Sequence, residues 1–461
     1  MKTTVIKPKT LSGFMELLPN EQLLFDRIRD TIASVYRQYG FLPLDTPILE
    51  HSEILLAKAG GETEKQIYRF SKGDTDLTMR FDLTVPLAKY VAKNYSALTF
   101  PFRRYQIGKV YRGERAQKGR FREFYQSDID IIGDGSLSLT NDAEILSIIY
   151  DIFHRLGLYD FTIRLNNRKI LTGFFSMLHL SEQAEDIMRI VDKLEKIGEE
   201  AVLLELQKLN ISKECCDKIL HFICYEGTNE ETLAFLTELN DGNELFSLGI
   251  EELSFVLQAI QAYEIPEKNC QIDLTIARGL DYYTGTVYET RFNKHPEIGS
   301  ICSGGRYDNL AEFYTDKPLP GVGTSIGLTR LFYILNEKEY LNTNTVAPAD
   351  VLIIPMTDDI SKAIALSKQL RANAIQTQIY FETKKFKAKI GYADKLSIPF
   401  ALFLGEDEIA QQKVSLKNLT TGEQCIVDLE EAITIIKNER YDTDHGTLIH
   451  TELTNSISNN E

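Results

Sequence analysis

Apolar residues recur at helical spacing in two parts of the chain. From Asn20 to Tyr39 they fall three or four positions apart, with Asn20 placed to cap the first turn and Gly40 to end the last. Between about 180 and 262 the same spacing runs through several stretches with almost no strand pattern. The chain is therefore predicted to contain one long helix near its start and a helical block near its middle.

Strand-like segments lie on both sides of this helical block. Before it, residues 104–132 are predicted to form two strands joined by a Gly- and Arg-rich loop at 113–120. After it, three short segments have strand-like composition: 271–277, 286–292 and 299–303. Because strands resume after the helices, the block is predicted to interrupt one sheet-based domain rather than to end it.

The C-terminal part of the chain alternates between strand and helix patterns. Strands are predicted at 350–355, 376–381, 399–404 and near 413 and 425, and helices at 358–373, with Asp358 near the cap, and at 385–396. This alternation predicts a small α/β domain with a largely parallel core.

These patterns give a predicted domain organisation. The first domain spans 1–341 and is interrupted by a helical insertion at 180–262. A polar linker at 342–348 leads to a second domain at 349–438. The remaining tail, 439–461, ends in a segment rich in Asn, Ser, Thr and acid, and it is predicted to be disordered.

Composition places the chain among ordinary globular proteins. Of its 461 residues, 43% are hydrophobic and 26% are charged, and no apolar run approaches the ~18 residues that cross a bilayer. The start lacks the apolar block of a secretory signal, so a cytoplasmic location is expected. The six cysteines show no Cys-x-x-Cys pattern and no metal-like spacing with the seven histidines, which predicts reduced thiols and no metal held by Cys or His.

Charge is distributed unevenly along the chain. The formal net charge of −16 argues against a protein that coats DNA or other nucleic acid. Residues 103–122 reverse this balance, with eight basic side chains against Glu114 alone. A second, smaller basic cluster lies at 384–389. The first concentration predicts a local site for a polyanion.

The strand that follows the basic loop alternates in an unusual way. A strand over 122–132 places five side chains on one face: Arg122, Phe124, Gln126, Asp128 and Asp130. A face turned wholly to solvent would also explain these polar residues. Beside an Arg-rich hairpin, however, they suit a ligand with both phosphate and ammonium groups, because guanidinium groups bind phosphate and a phenyl ring stacks on a base.

Two further segments have residues that suit the same ligand. The Gly-rich run 320–330 is predicted to be a strand entering a helix, with Arg330 on its first turn; tight strand–helix packing with a surface arginine is the alternative. The run 277–290 places Arg278, Asp281, Tyr282 and Tyr283 close together. For one of the two tyrosines, packing in the core is the alternative to contact with a ligand.

The motifs together resemble those of a known enzyme class. Phe102-Arg-Arg-Tyr-Gln-Ile-Gly-Lys-Val-Tyr-Arg-Gly-Glu-Arg115, continued by Arg120-Phe-Arg-Glu-Phe-Tyr-Gln126, is similar to motif 2 of class II aminoacyl-tRNA synthetases. Residues 41–50 resemble their motif 1, and the run ending at Arg330 resembles motif 3. The segments Arg278-Gly-Leu-Asp-Tyr-Tyr283 and Ser303-Gly-Gly-Arg-Tyr-Asp-Asn-Leu310 resemble the two histidine-specific motifs of the histidyl-tRNA synthetase family. The resemblance runs from about residue 10 to about 438.

This resemblance implies a fold and a histidine site. The fold would be an α+β catalytic domain with a mainly antiparallel sheet and a helical insertion, followed by an α/β anticodon-binding domain. Histidine would be bound by Asp82, Thr84, Arg112, Gln126, Asp130, Arg278, Tyr282 and Tyr283. Asp82, Thr84 and Gln126 would hold the amino group, and Asp130 the ring. Asp82 stands where many bacterial members have Glu, which keeps the charge but shortens its reach.

The resemblance also implies an ATP site and a reaction. Arg112, Arg120, Phe124 and Arg330 would bind ATP, which would enter with Mg²⁺. The carboxylate of L-histidine would attack the α-phosphorus, pyrophosphate would leave, and the tRNA 3′ end would then accept histidine. Arg278 and Arg112 would be the catalytic residues, since the reaction needs aligned cations rather than a protein nucleophile.

Partners follow from the same resemblance. A homodimer is implied because motif 1 builds the subunit interface in this class. The hairpin tip, with Gln117 and Lys118, would face the tRNA, and the 384–389 cluster would meet tRNA phosphates or be a solvated helix face. The alternative is a synthetase-like regulatory or sensor protein that binds histidine or tRNA without aminoacylation. A regulatory subunit would lack 278–283 and the second domain, and a sensor would have lost Arg112, Arg278 or Arg330.

Overall fold

The computed structural model describes residues 6–57, 66–115, 118–277, 283–309, 311–342, 346–444 and 448–449. These residues divide into two compact units. The first unit is built from 6–16 and 29–338, and the second from 17–28 and from 339 onwards.

Eleven described strands belong to the first unit. They are β1 (Leu42–Pro43), β2 (Leu49–His51), β3 (Arg69–Lys72), β4 (Thr75–Met79), β5 (Phe102–Tyr111), β6 (Glu123–Ile132), β7 (Phe161–Asn167), β8 (Cys270–Ile272), β9 (Thr286–Phe292), β10 (Cys302–Tyr307) and β11 (Gly321–Ile326). Eight of them form the main sheet in the order β1-β5-β6-β11-β10-β9-β7-β8, and β2, β4 and β3 form a small one. Only the β1–β5 and β7–β8 pairs of the main sheet are parallel, as expected for a mainly antiparallel sheet.

Twelve described helices begin in the first part of the chain. They are α1 (Pro19–Gln38), α2 (Ser52–Leu56), α3 (Thr84–Asn94), α4 (Thr140–Arg155), α5 (Arg168–Met177), α6 (Ala184–Val191), α7 (Leu194–Ile197), α8 (Glu199–Lys208), α9 (Lys213–Ile223), α10 (Asn229–Leu239), α11 (Glu244–Ala262) and α12 (Leu328–Glu337). Helix α1 agrees with its prediction to within a residue at each end, but Asn20 lies within its first turn rather than capping it.

The main sheet has one apolar face and one polar face. The apolar face includes Ile129, Ile131 and Val322, all fully buried, and α4 contacts strand β11. Alternation places the polar side chains of β6 on the opposite face. The main sheet therefore has the buried acidic side chains of β6 on one side and the apolar contacts with α4 on the other.

The stretch between 180 and 262 is helical throughout, apart from its connections. It lies between β7 and β8, which are neighbours in the main sheet. Local capping explains where its helices begin: Ser212, Thr228 and Asn243 each accept a backbone N–H from the first turn of the helix that follows. That residues 180–262 form an insertion with these boundaries remains a prediction.

Helix α11 is packed against other helices of the first unit. It contacts α4 and α5, and Asn167 donates a hydrogen bond of 2.9 Å to Glu252, which also forms a salt bridge with Lys169. By length and composition α11 is the one helix, among those described, that could cross a membrane. That is weak evidence for a membrane segment, because core helices of soluble proteins have the same composition.

Two sequence predictions in the first unit differ from the structure. The strand predicted at 271–277 ends at Ile272, because the Asp273 carboxylate accepts hydrogen bonds from the Thr275 N–H and hydroxyl and closes a turn. The strand predicted at 299–303 is β10, shifted to Cys302–Tyr307, after Gly299 with φ 70°.

The second unit contains one five-stranded sheet. Its strands are β12 (Val351–Pro355), β13 (Thr377–Ile379), β14 (Phe400–Leu404), β15 (Val414–Asn418) and β16 (Gln424–Val427), in the order β13-β12-β14-β15-β16. Its helices are α13 (Ser361–Ala372), α14 (Phe386–Lys395), α15 (Glu406–Gln411) and α16 (Leu429–Asp444). The predicted parallel core covers β13, β12 and β14, whereas β15 and β16 pair antiparallel.

Three predicted features of the second unit need correction. Helix α13 begins at Ser361, and the carboxylate that accepts the Ser361 N–H, at 2.9 Å, is that of Asp359 rather than that of Asp358. Helix α16 continues to Asp444, beyond the predicted domain end at 438. Residues 448–449, within the predicted tail, are buried, and Ile449 forms an antiparallel bridge with Leu341. The rest of the predicted tail beyond Asp444 lies outside the described residues, as do 343–345 of the predicted linker.

Candidate functional site

The centre of the polar face is a buried ion pair between two neighbouring strands. Arg104 on β5 lies opposite Asp130 on β6, and its Nη2 is 2.6 Å from the Asp130 Oδ2. The Tyr307 hydroxyl donates to the Asp130 Oδ1 at 2.7 Å. A Cβ atom at Gly323, the β11 partner of Asp130, would lie 2.1 Å from that oxygen, so only glycine leaves room for this arrangement.

Asp82 enters the site from the segment that precedes α3. The Val85 N–H donates to its Oδ1 at 3.1 Å, which is the hydrogen bond expected of a carboxylate at a helix start. Its Oδ2 is buried and has no hydrogen-bond partner among the described residues. Burial raises the pKa of Asp82 to about 6, against the opposing effects of the Val85 N–H, Arg112 and Arg104. Asp82 is therefore placed to accept a hydrogen bond from a cationic ligand.

Two more buried acceptors lie on strand β6. The Gln126 amide donates to the Ser325 Oγ at 2.8 Å, and its Oε1 has no partner in the described part of the chain. The Oδ1 of Asp128, which is 2% exposed, likewise has no hydrogen-bond partner in the described part of the chain. Burial raises the pKa of Asp128 to about 7; Arg104 and a hydrogen bond from Ser325 oppose this, and Asp130 and Asp82 add to it.

These unpaired acceptors favour a ligand rich in N–H donors. Buried acceptors without partners cost about 1–3 kcal/mol each, so a ligand that pairs them gains that free energy back. Among the described residues, no group of three His, Cys, Asp or Glu side chains is arranged to hold a metal ion. An ammonium group with a second N–H donor nearby matches the arrangement.

Arg112 and Phe124 form a cation beside an aromatic face. Arg112 follows β5, and its Nε donates to the Phe81 carbonyl at 3.0 Å. Its guanidinium carbon lies 5.2 Å from the centre of the Phe124 ring. Both side chains are partly exposed, so they remain accessible to a ligand on the polar face.

A second pair of cations lies near the hairpin loop. Arg330, on the first turn of α12 as predicted, donates to the Ser300 carbonyl at 2.7 Å and also to that of Ile298. Burial, and then the nearby Arg120, lower the pKa of Arg330. Arg120 has a weak contact with Glu114 at 3.7 Å. Two guanidinium groups held together this way suit an anion that neutralises both.

The structure brings most of the described candidate residues together. Asp82, Gln126 and Asp130 share the central cluster, and Thr84 is the first residue of α3 beside it. The Tyr283 ring lies against Gly305, where a Cβ atom would be 2.9 Å from it. Lys118 is 84% exposed at its side chain and pairs with Glu337 at 2.7 Å. The predictions for Arg278, Asp281, Tyr282 and Gln117 lie outside the described residues.

Sequence reasoning gave no role to four residues of this cluster. Arg104 was placed only in a basic segment, and Asp128 only on a polar face. Ser325 and Tyr307 lay within Gly-rich runs noted for other reasons. Their common signal is strand alternation, since each faces the same side as Asp130 once the register is known.

Comparison with known proteins gives the family of this chain. A model described as histidyl-tRNA synthetase matches residues 13–331, and an anticodon binding domain model matches residues 350–439. A protein of Clostridium tetani named histidine–tRNA ligase is 57% identical over 95% of this chain and 100% of its own length.

Solved structures show the same likeness. The structure of histidyl-tRNA synthetase from Nostoc sp. PCC 7120 matches with a TM-score of 0.88 and 43% identity, covering 94% of this chain and 100% of that one. A protein described as an ATP phosphoribosyltransferase regulatory subunit/histidyl-tRNA synthetase from Bacillus halodurans C matches with a TM-score of 0.70 over 84% of this chain and 97% of that one. At 21% identity, that second match shows the fold alone. The chain thus belongs to the histidyl-tRNA synthetase family.

Proposed function

We propose that this chain is a histidine–tRNA ligase, which activates L-histidine with ATP and transfers it to the 3′ end of its cognate tRNA. The observation that carries the proposal is the combination, in one unit, of buried unpaired acceptors with a pair of neighbouring arginines, Arg120 and Arg330. The acceptors match an amino acid rich in N–H donors, and the arginines match phosphates. Family membership makes histidine the amino acid of choice.

Histidine binds against the central cluster. Asp82, Thr84 and Gln126 accept the three ammonium hydrogens, which agrees with the unpaired buried oxygens of Asp82 and Gln126. Arg278 and Arg112 neutralise the carboxylate. Tyr282 and Tyr283 line the imidazole pocket together with Asp130, and the position of Tyr283 against Gly305 supports its part in this assignment.

ATP binds along the arginines. Arg120 and Arg330 hold the γ-phosphate, Arg112 reaches the α-phosphate, and the adenine stacks on Phe124. Mg²⁺, when bound with ATP, would supply charge that offsets that of the leaving pyrophosphate. Near Arg330 lie the carboxylates of Glu289 and Glu114, whose oxygens are of the type that Mg²⁺ prefers.

Catalysis follows from alignment and charge. Binding places the histidine carboxylate beside the α-phosphorus, and a bond from its oxygen forms as the bond to pyrophosphate breaks. Arg112 and Arg278 stabilise the negative charge that develops on the α-phosphate oxygens. The tRNA 3′-terminal hydroxyl then attacks the histidine carbonyl and releases AMP.

The second unit binds the tRNA anticodon region in this proposal. Lys384, Lys385 and Lys387 are exposed at the start of α14, with exposed Phe381 and Phe386 beside them. Cations with aromatic faces suit unpaired bases and phosphates. Lys118 and Gln117 of the hairpin face the tRNA acceptor end. A homodimer and a cytoplasmic location complete the proposal; the six cysteines are all free thiols, as in reducing compartments.

The test is histidine-dependent exchange of pyrophosphate into ATP without tRNA, followed by charging of histidine tRNA. Exchange that needs histidine and is lost in Arg278→Ala, but kept in Lys338→Ala at an exposed surface pair, is the expected result. Histidine binding without exchange would support the regulatory or sensor alternative instead. Exchange that depends on another amino acid would overturn the assignment of the substrate.

A further inference from the structure

A second buried ion pair lies on the apolar face of the main sheet, behind the candidate site. Arg306 on β10 is opposite Val322 on β11, so its side chain projects to the apolar face. There it meets Asp142, in the first turn of α4: its Nε is 3.1 Å from the Asp142 Oδ1, and its Nη2 is 2.5 Å from Oδ2. Asp142 is fully buried and Arg306 is 6% exposed. The proposed function gives this pair no role.

The guanidinium of Arg306 is held at all three nitrogens. Besides the contacts of Nε and Nη2 with Asp142, Nη1 donates to the Leu137 carbonyl and Nη2 to the Ser138 carbonyl, each at 3.0 Å. These partners all lie between 137 and 142, in the segment that enters α4. One short segment therefore fixes the side chain of Arg306.

Stability alone does not explain a pair of this kind. Two charges removed from water lose hydration free energy that their attraction often fails to recover, and apolar side chains of similar volume are often as stable or more so. Burial raises the pKa of Asp142 even though the hydrogen bond and the charge of Arg306 oppose the shift. In some proteins such a pair is retained because it fixes one arrangement of the elements that it joins.

Strand β10 carries residues of the amino acid pocket on both sides of Arg306. Alternation along the strand turns Gly305 and Tyr307 to the polar face. There the Tyr307 hydroxyl donates to the Asp130 Oδ1 at 2.7 Å. The position of β10 therefore decides whether Tyr307 reaches Asp130.

Arg306 also contacts the segment that precedes β9. Its carbonyl accepts the Thr284 N–H at 2.8 Å, and a Cβ atom at Gly285 would lie 3.0 Å from its Cδ. The adjacent residue, Tyr283, has its ring against Gly305. Arg306 thus connects α4 with two parts of the amino acid pocket, although its own side chain lies on the other face of the sheet.

We propose that Asp142 and Arg306 are positioning residues for the amino acid pocket: the pair fixes β10 from behind, so that Tyr307 meets Asp130 on the polar face. The inference rests on the proposed function, because it takes histidine as the amino acid and Asp130 as the carboxylate that bonds its ring. Loss of the pair weakens histidine binding. It leaves ATP binding unchanged, because the arginines assigned to ATP lie on other elements.

The test is pyrophosphate exchange and thermal unfolding of the full chain as Asp142→Leu and as the double variant Asp142→Leu/Arg306→Met. Asp142→Leu is expected to lower the unfolding temperature, because Arg306 is left buried without a carboxylate. The double variant is expected to recover the wild-type unfolding temperature or exceed it, since water can pair the carbonyls of Leu137 and Ser138, which are not buried residues. Its KM for histidine is nevertheless expected to rise about tenfold or more, with the KM for ATP within about twofold, because small displacements of pocket groups are costly.

Glu144→Gln is the matched control. Glu144 lies on the same helix and pairs at 2.8 Å with Arg103, which is on β5. This variant breaks an ion pair between α4 and the same sheet without touching β10. It is expected to keep the wild-type KM for histidine.

The outcomes separate the inference from the proposed function. A double variant with the wild-type KM for histidine would overturn the inference and leave the proposed function standing. A double variant that does not fold would do the same, because the pair would then act on stability alone, and so would an equal rise in the KM for ATP. A wild-type protein without histidine-dependent exchange would overturn both.

Discussion

Arg104 lies directly across the β5–β6 ladder from Asp130, with its Nη2 atom 2.6 Å from the Asp130 Oδ2 and its own side chain fully buried. Removing one partner of a buried pair leaves the other as an uncompensated charge, which typically costs about 3–5 kcal/mol. We predict a loss of this size in the free energy of unfolding of Arg104→Met, measured by urea denaturation.

The control for this prediction is an exposed ion pair on the same unit. Arg69 and Asp76 pair across the β3–β4 hairpin with roughly half of each side chain exposed. Arg69→Met is predicted to cost about 1 kcal/mol or less, because solvent screens such pairs. Equal losses in the two variants would mean that the buried position of Arg104 adds nothing to its contribution.

Gly323 is the second position where the site restricts the sequence. A Cβ atom there would lie 2.1 Å from the Asp130 Oδ1 and 2.6 Å from the Ile129 carbonyl oxygen. Gly323→Ala is predicted to lower stability by about 1–3 kcal/mol and to weaken histidine binding, because Asp130 must move. Thermal unfolding and histidine calorimetry measure the two effects.

Gly391 is the matched control. It lies within α14, and a Cβ atom there would meet nothing within 4 Å. Gly391→Ala is predicted to raise stability by about 0.5–1 kcal/mol, since alanine favours helix more than glycine does. A Gly323→Ala variant as stable as Gly391→Ala would contradict the close approach of Asp130.

The pKa of Asp128 predicts a pH dependence of stability. Burial raises that pKa to about 7, with Arg104 and Ser325 opposing the shift and Asp130 and Asp82 adding to it. An unfolded carboxyl titrates near about 3.9, so between these values the folded chain binds more protons than the unfolded chain. The contribution of Asp128 to stability is therefore full below about pH 4 and is lost as the pH rises to 7 and beyond.

Asp128→Asn removes this titration. The ligand-free variant is predicted to be more stable than the wild-type protein at pH 8, with a difference that shrinks as the pH falls to 5. Thermal unfolding across this range measures it, with Asp74→Asn at an exposed turn as the control, for which the two curves should run parallel. A difference that is independent of pH would show that Asp128 does not titrate there.

Local patterns predicted the elements of the fold better than the contacts between them. The extent of helix α1 was correct because its apolar spacing is encoded within 20 residues. The sharing of one face by Gln126, Asp128 and Asp130 was also correct, since alternation along a strand needs no partner. Strand β8 was predicted too long because the Asp273 turn depends on one short side chain that the strand pattern does not weigh.

The central ion pair could not be predicted in the same way. Which residue of β5 faces Asp130 depends on the register of a hairpin with an 11-residue connection, and a shift of one residue would place Tyr105 or Arg103 there instead. The hydrogen bonds of Asp130 and Asp128 depend further on Tyr307 and Ser325, respectively. These two residues lie almost 180 or more positions away in sequence. Such long-range contacts decide which of two similar carboxylates keeps an unpaired oxygen.

Arg120 and Arg330 give a final prediction, on anion binding. Arg120 lowers the pKa of Arg330, so the two cations repel each other in the ligand-free protein. Pyrophosphate is predicted to raise the unfolding temperature of the wild-type protein, because a ligand that binds only the folded state stabilises it by about 2.7 kcal/mol at a hundred times its Kd. Arg120→Gln is predicted to lose this stabilisation while its ligand-free unfolding temperature stays equal to or above that of the wild type.

Lys338→Gln, at a surface pair with Glu297, is the control and is predicted to keep the full response to pyrophosphate. An Arg120→Gln variant that responds to pyrophosphate like the wild type would show that Arg120 takes no part in binding the phosphate.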